Sequence, residues 1–133
     1  MLVAMDASQA IADLTEISPQ VRDVVASGAD GAVLGSNATD DAARRLLDGA
    51  RRLLDAAEAL RPGVAQLEAA TTTGSVFVVR DGERLIAATT TPEPTVGLVF
   101  YDLKTCLRSI DEPRPTRKRA PAKKKEESED AAS

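Results

Sequence analysis

The sequence predicts an α+β domain in which one five-stranded antiparallel sheet carries helices on its faces, in the order α-ββ-α-βββ-α. Three observations lead there. Three segments repeat apolar residues at the 3/4 spacing of a helix, and two of them enclose a run of β-branched stretches. Asp30-Gly31, Gly74 and Asp81-Gly82 fall between neighbouring apolar runs, where a hairpin needs residues that tolerate positive φ. The short turns between successive strand candidates make them hairpins and a meander, and so antiparallel.

The first helix opens on Asp6-Ala7-Ser8-Gln9, with Asp6 as N-cap and Gln9 placed to reach back to the cap's own N–H. Ala7, Ala10, Ile11, Leu14 and Ile17 form its stripe, and Ser18-Pro19 closes it. Val21 to Ser27 and Ala32-Val33-Leu34 make the first hairpin. Thr39-Asp40-Asp41 starts the longest helix, with two carboxylates where the helix dipole favours them. Along it Leu46, Leu47, Ala50, Leu53, Leu54, Ala57 and Leu60 fill one arc, while Arg44, Asp48, Arg51, Arg52, Asp55 and Glu58 fill the opposite one, with Asp48 and Arg52 spaced as an ion pair. Arg61-Pro62-Gly63 ends it. Val64 to Thr72, Ser75 to Arg80 and Arg84 to Thr90 then read as a three-stranded meander. Thr95 caps the last helix, whose stripe is Val96, Val99, Phe100, Leu103, Cys106, Leu107 and Ile110.

The 133 residues contain no His and no Trp, and Cys106 is the single cysteine. An intrachain disulfide is therefore impossible, Cys/His zinc sites cannot be built, and triads that need an imidazole base are excluded. Gly28-Ala29-Asp30-Gly31 is not followed by the Gly-Lys-Ser/Thr of a phosphate loop, so the chain is not itself a nucleotide hydrolase of that kind. No metal or cofactor is expected. No apolar run reaches a membrane span, and the first residues lack the form of a signal peptide, which points to the cytoplasm. Twelve Arg against five Lys, in an Ala-rich chain, suits a GC-rich bacterial genome.

Met5-Asp6-Ala7-Ser8-Gln9-Ala10, Asp30-Gly31-Ala32-Val33-Leu34-Gly35 and Gly97-Leu98-Val99-Phe100-Tyr101-Asp102-Leu103, taken with the element order, resemble the Roadblock/LC7 family over residues 6 to 110. That resemblance implies a small profilin-like fold and a homodimer, in which the third strands pair into one sheet and the long central helices lie side by side. It also implies a non-catalytic platform for Ras-like small GTPases, as in the bacterial MglB-type regulators, with no active-site residue to carry over.

Ala42, Gly49 and Ala56 lie seven apart along one flank of the central helix, where two backbones can approach; a helical glycine costs about 1 kcal/mol against alanine and invites a packing reason. The expected dimer face combines these three with Leu53, Val64, Gln66 and Glu68, the last three from a strand read as a sheet edge that must be paired or covered. Arg44, Arg45, Arg51 and Arg52 are the candidate contacts for an acidic partner surface, against a plain solvated helix face. Cys106, inside an apolar stripe, reads as a buried structural thiol.

Composition changes at Ile110. Residues 111–133 have no Leu, Ile, Val, Met or aromatic residue and read as a disordered charged tail beyond a domain of residues 1–110. The formal charge of −4 hides three blocks. Residues 1–113 hold ten basic and seventeen acidic groups, residues 114–125 carry +7, and residues 126–133 carry −4. A basic arm built on Arg117, Lys118, Arg119, Lys123, Lys124 and Lys125 suits polyanion contact through counterion release, either nucleic acid or an anionic surface. The leading expectation is a homodimeric adaptor for a Ras-like GTPase. A dimeric module with a nucleic-acid-binding arm, and a small-ligand sensor, are the alternatives.

Overall fold

The computed structural model describes residues 6–110, and the whole charged tail lies outside them. Its elements are α1 (Ala7–Ile17), β1 (Val21–Ser27), β2 (Val33–Ser36), α2 (Asp40–Leu60), β3 (Gln66–Thr71), β4 (Gly74–Asp81), β5 (Arg84–Thr90) and α3 (Val96–Ser109). The expected order and the five-stranded antiparallel sheet are both present. The strands run β2-β1-β5-β4-β3, so β1 skips the long helix to pair with β5, and β3 closes the far edge.

Side chains alternate across this sheet and build two cores. Val24, Ala26, Phe77, Val79, Ile86 and Ala88 point to α1 and α3, whereas Val25, Val78, Leu85 and Ala87 point to α2. On the first face Phe77, wholly buried, meets Phe100 edge to face at a centroid distance of 4.9 Å. On the second, Ala43, Leu47, Ala50 and Leu54 seal α2 to the sheet. A bulge between Val21 and Val24 leaves Arg22 and Asp23 exposed. Past it, Asn37 continues the pairing: its Oδ1 accepts the Val24 N–H at 2.8 Å and its Nδ2 donates to the Arg22 carbonyl at 2.6 Å.

The helix ends follow the expected chemistry with two exceptions. Asp6 Oδ1 accepts the Gln9 N–H at 2.8 Å and Thr39 Oγ1 accepts the Ala42 N–H at 3.2 Å. Gln9, however, turns forward to Asp13 Oδ1 at 2.9 Å instead of back to the cap, because an i,i+4 acceptor is already in reach. Thr95 stands at the N-cap position without a side-chain bond; its own N–H donates instead to Gln20 Oε1, tying the α3 entry to the loop before β1. At the other end Arg84 donates to the carbonyls of Leu107 and Ile110, both at 2.9 Å, which closes the C-terminus of α3 with a cation.

The hairpins are also set differently from a simple Asp-Gly turn. Residues 28–32 form the first, with Gly31 at φ 84 and Asp30 Oδ1 accepting the Ala32 N–H. In the last, Asp81 pairs with Arg84, so Gly82 and Glu83 are the central residues and Gly82 takes φ 65.

Candidate dimer face

The sheet edge expected near Val64 is real and begins later. Val64 and Ala65 precede β3, and Val64 packs under the α2 core. The reason is a polar clamp at the end of α2. Glu58 Oε2 accepts the Gly63 N–H at 2.7 Å, its Oε1 accepts the Val64 N–H at 3.2 Å, and Arg80 Nη2 reaches both Glu58 Oε1 at 2.9 Å and the Val64 carbonyl. Both Val64 backbone groups are taken by this clamp, and the first backbone bond to β4 is made one residue later, where the Ala65 carbonyl accepts the Arg80 N–H at 2.8 Å. The Gly63 N–H first, then Arg80, hold the Glu58 carboxyl below its usual range.

From Gln66 onward β3 pairs with β4 residue for residue. Gln66 and Glu68 share one face as expected, and Glu68 accepts from Ser75 Oγ at 2.8 Å; Leu67 faces α2 and packs on its core. Among the described residues no strand lies beyond β3, so its outer N–H and C=O groups have no ladder partner.

Along α2, Gly49 is exposed and a Cβ placed on it would meet nothing within 4 Å. Ala42 is half-buried and Ala56 exposed, so this small-residue flank is unfilled by the chain's own fold. Beside it run Leu46 and Leu53, half-buried against the core, and Leu60, which is 86% exposed. Sequence periodicity counts all three leucines as core. Only Leu47 and Leu54 are wholly sealed; Leu46, Leu53 and Leu60 recur at seven-residue spacing beside Ala42, Gly49 and Ala56, and that repeat is the available signal.

The arginine expectation divides. Arg44, Arg45 and Arg52 are exposed as expected. Arg51 is not: it lies half-buried, with Nη2 donating to the Gly31 carbonyl at 3.0 Å and to Ser27 Oγ at 3.4 Å, and so it braces the first hairpin. Glu58 likewise leaves the solvent arc for its clamp. Both sit at the border of the arc facing the sheet, where a long side chain finds backbone groups in reach. The Asp48–Arg52 ion pair is absent from those formed by the described residues, whereas Glu58–Arg80 and Arg108–Asp81 are formed.

Arg51 turns toward the β1–β2 hairpin, and Gly49 projects about 160° away from it around the helix. Val64 is half-buried against the α2 core. The tail residues Arg117, Lys118, Arg119, Lys123, Lys124 and Lys125 fall outside the described residues.

Elsewhere, Cys106 is buried, and desolvation, with Asp13 as a lesser cause, pushes its thiol up to about 12. Among the described residues no group of three His, Cys, Asp or Glu side chains is placed to hold a metal ion, and no helix is long and apolar enough to cross a membrane.

A five-stranded antiparallel sheet in this order, with one long helix on one face and two on the other, defines the profilin-like class of α+β folds. Within that class the chain has the Roadblock/LC7 fold. A Roadblock/LC7 domain from Streptomyces avermitilis superposes with a TM-score of 0.68 at 18% identity, covering 79% of this chain and 94% of that one. Myxococcus xanthus MglB gives 0.60 at 13% identity, covering 77% and 83%. The gliding protein MglB of Thermus thermophilus gives 0.59 at 16%, covering 82% and 92%. A Loki profilin, solved in complex with rabbit actin, is similar at 0.55 and 14%, over 79% and 95%. No family profile and no curated protein matches the chain by sequence.

Proposed function

We propose that the protein is a non-enzymatic, homodimeric adaptor of the Roadblock/LC7 family that binds a Ras-like small GTPase in the bacterial cytoplasm. The observations that carry this reading are an unpaired β3 edge and an exposed α2 flank with no Cβ at its centre. An unpaired edge invites uncontrolled association unless something pairs it. A second copy related by a two-fold axis supplies both an antiparallel partner for β3 and a second α2 to pack across Gly49. The likeness to MglB structures supports the GTPase as partner class. Arg44, Arg45 and Arg52, on the outer face of α2, are the contacts proposed for it.

The experiment couples the two parts. Tagged full-length protein is used to capture small GTPases from its host, in parallel with Ala70→Pro, which blocks the β3 edge. Capture by the wild type and its loss in the edge variant are expected. A small GTPase captured equally by a monomeric variant rules out the dimer as the binding unit, and failure to retain any GTPase overturns the partner assignment.

A further inference from the structure

The opposite face of the sheet holds a groove that the dimer reading does not use. It lies between α1 and α3, has a volume of about 180 Å³, and is lined by Asp13 and Ile17 on one side and Asp102, Cys106 and Ser109 on the other. At 100° per residue, Leu98 and Tyr101 fall on the same stripe of α3 as Asp102 and Ser109, so they prolong that wall toward Ile17. Ile17, Leu98 and Tyr101 are 67%, 49% and 67% exposed. An apolar strip of this kind beside a groove is unusual on a surface otherwise rich in charge.

Its most telling group is Asp102. The residue is 8% exposed, yet its carboxylate makes no hydrogen bond or ion pair with any described residue. The carboxylate itself is not sealed but opens into the groove, where a cationic or hydrogen-bonding group has room to meet it. Asp13 faces it across the gap. The site therefore asks for a cationic side chain carried on a segment that can also cover apolar and aromatic surface.

We propose that the groove is the docking site of this chain's own basic segment, Pro113-Arg114-Pro115-Thr116-Arg117-Lys118-Arg119. The charges match: residues 1–113 are net −7 and residues 114–125 are +7. The position matches too, because the segment begins three residues beyond Ile110, which directly follows Ser109 in the groove wall. From Ser109 to Leu98 the wall runs about 16 Å at 1.5 Å per helical residue. A proline-containing extended chain covers that in about five or six residues, so the 23 residues after Ile110 reach the whole groove from any starting direction. Arginine then meets Asp102 while proline rings lie on Tyr101 and Leu98, the pairing by which proline-rich segments bind aromatic grooves. Docked, the basic segment is withheld from polyanions; released, it is offered to them.

Tyr101 reports on this directly, since it is the chain's single tyrosine and there is no tryptophan. Acrylamide quenching of tyrosine emission is measured on the full chain at low salt, at roughly 0.5 M salt, and in two variants. A docked segment shields Tyr101 at low salt, and raising the salt increases the quenching constant about twofold as the ion pairs are screened. The tail variant R114Q/R117Q/K118Q/R119Q and Asp102→Asn show the higher value already at low salt, with unchanged circular dichroism. The tail variant decides alone if Asp102→Asn fails to fold. Quenching indifferent to both salt and tail charge overturns the proposal, and shielding that depends on protein concentration overturns it in favour of a second copy's tail.

Discussion

The Glu58 carboxylate and the Arg80 guanidinium meet at 2.9 Å at the point where α2 hands the chain to the sheet edge. Glu58 also accepts two backbone N–H groups from the connection, and Arg80 comes from the strand that pairs with β3, so this one pair joins the long helix, the loop and the edge strand. It sets where β3 begins. Because the bonded form is the carboxylate and its pKa is lowered, the contribution to stability is present above the ordinary carboxylate range and is lost as pH falls through the lowered folded value. Glu58→Gln should therefore lower the melting temperature at pH 7, with the deficit against wild type closing in acid; a deficit independent of pH contradicts this.

Gly49→Leu separates folding from assembly. The added side chain enters open space in the single chain and replaces a poor helix former, so the isolated domain should keep its stability or gain about 0.5–1 kcal/mol. Its dimer dissociation constant should rise by about tenfold or more. Denaturation at low concentration and sedimentation velocity across a dilution series read the two effects separately.

Gly74 permits no such freedom. At φ 145, a Cβ there would overlap the Thr90 carbonyl oxygen, backbone that belongs to β5 in the interior of the sheet. Gly74→Ala must displace β5 or the β3–β4 turn and should cost about 2–4 kcal/mol in urea denaturation.

Arg84→Met should cost about 1–2 kcal/mol, since it leaves the Leu107 and Ile110 carbonyls without their cation at the end of α3. Amide exchange in the last turn of α3 should quicken while β1 and β5 stay protected.

Cys106 should react with a thiol reagent at pH 8 at least about a hundredfold more slowly in native protein than in urea, because burial disfavours its thiolate. Equal rates would place it at the surface.

Element order and both sheet faces are legible because each depends on a period that runs over many residues: Val24, Ala26 and Ile86 against Val25, Leu85 and Ala87, or Leu47 and Leu54 along α2. What escapes is decided by single side chains reaching backbone. Arg51 and Glu58 have the spacing of solvent-facing residues, and only the hairpin at Gly31 and the loop at Gly63 turn them inward. Gln9 shows the same limit, having two partners in reach and taking Asp13. The candidate face is half legible: Gly49 and the edge position of β3 are apparent, but periodicity runs Val64 into the strand and Leu46 and Leu60 into the core. Asp102 gives no signal at all, since an aspartate inside a helical stripe reads as an ordinary polar neighbour until its surroundings are known.

Sedimentation equilibrium of the full chain, from low to high micromolar concentration, tests the central claim most directly. The mass of two chains is expected throughout, with the β3 edges paired and the α2 flanks packed across Gly49. The mass of a single chain over that whole range would contradict it.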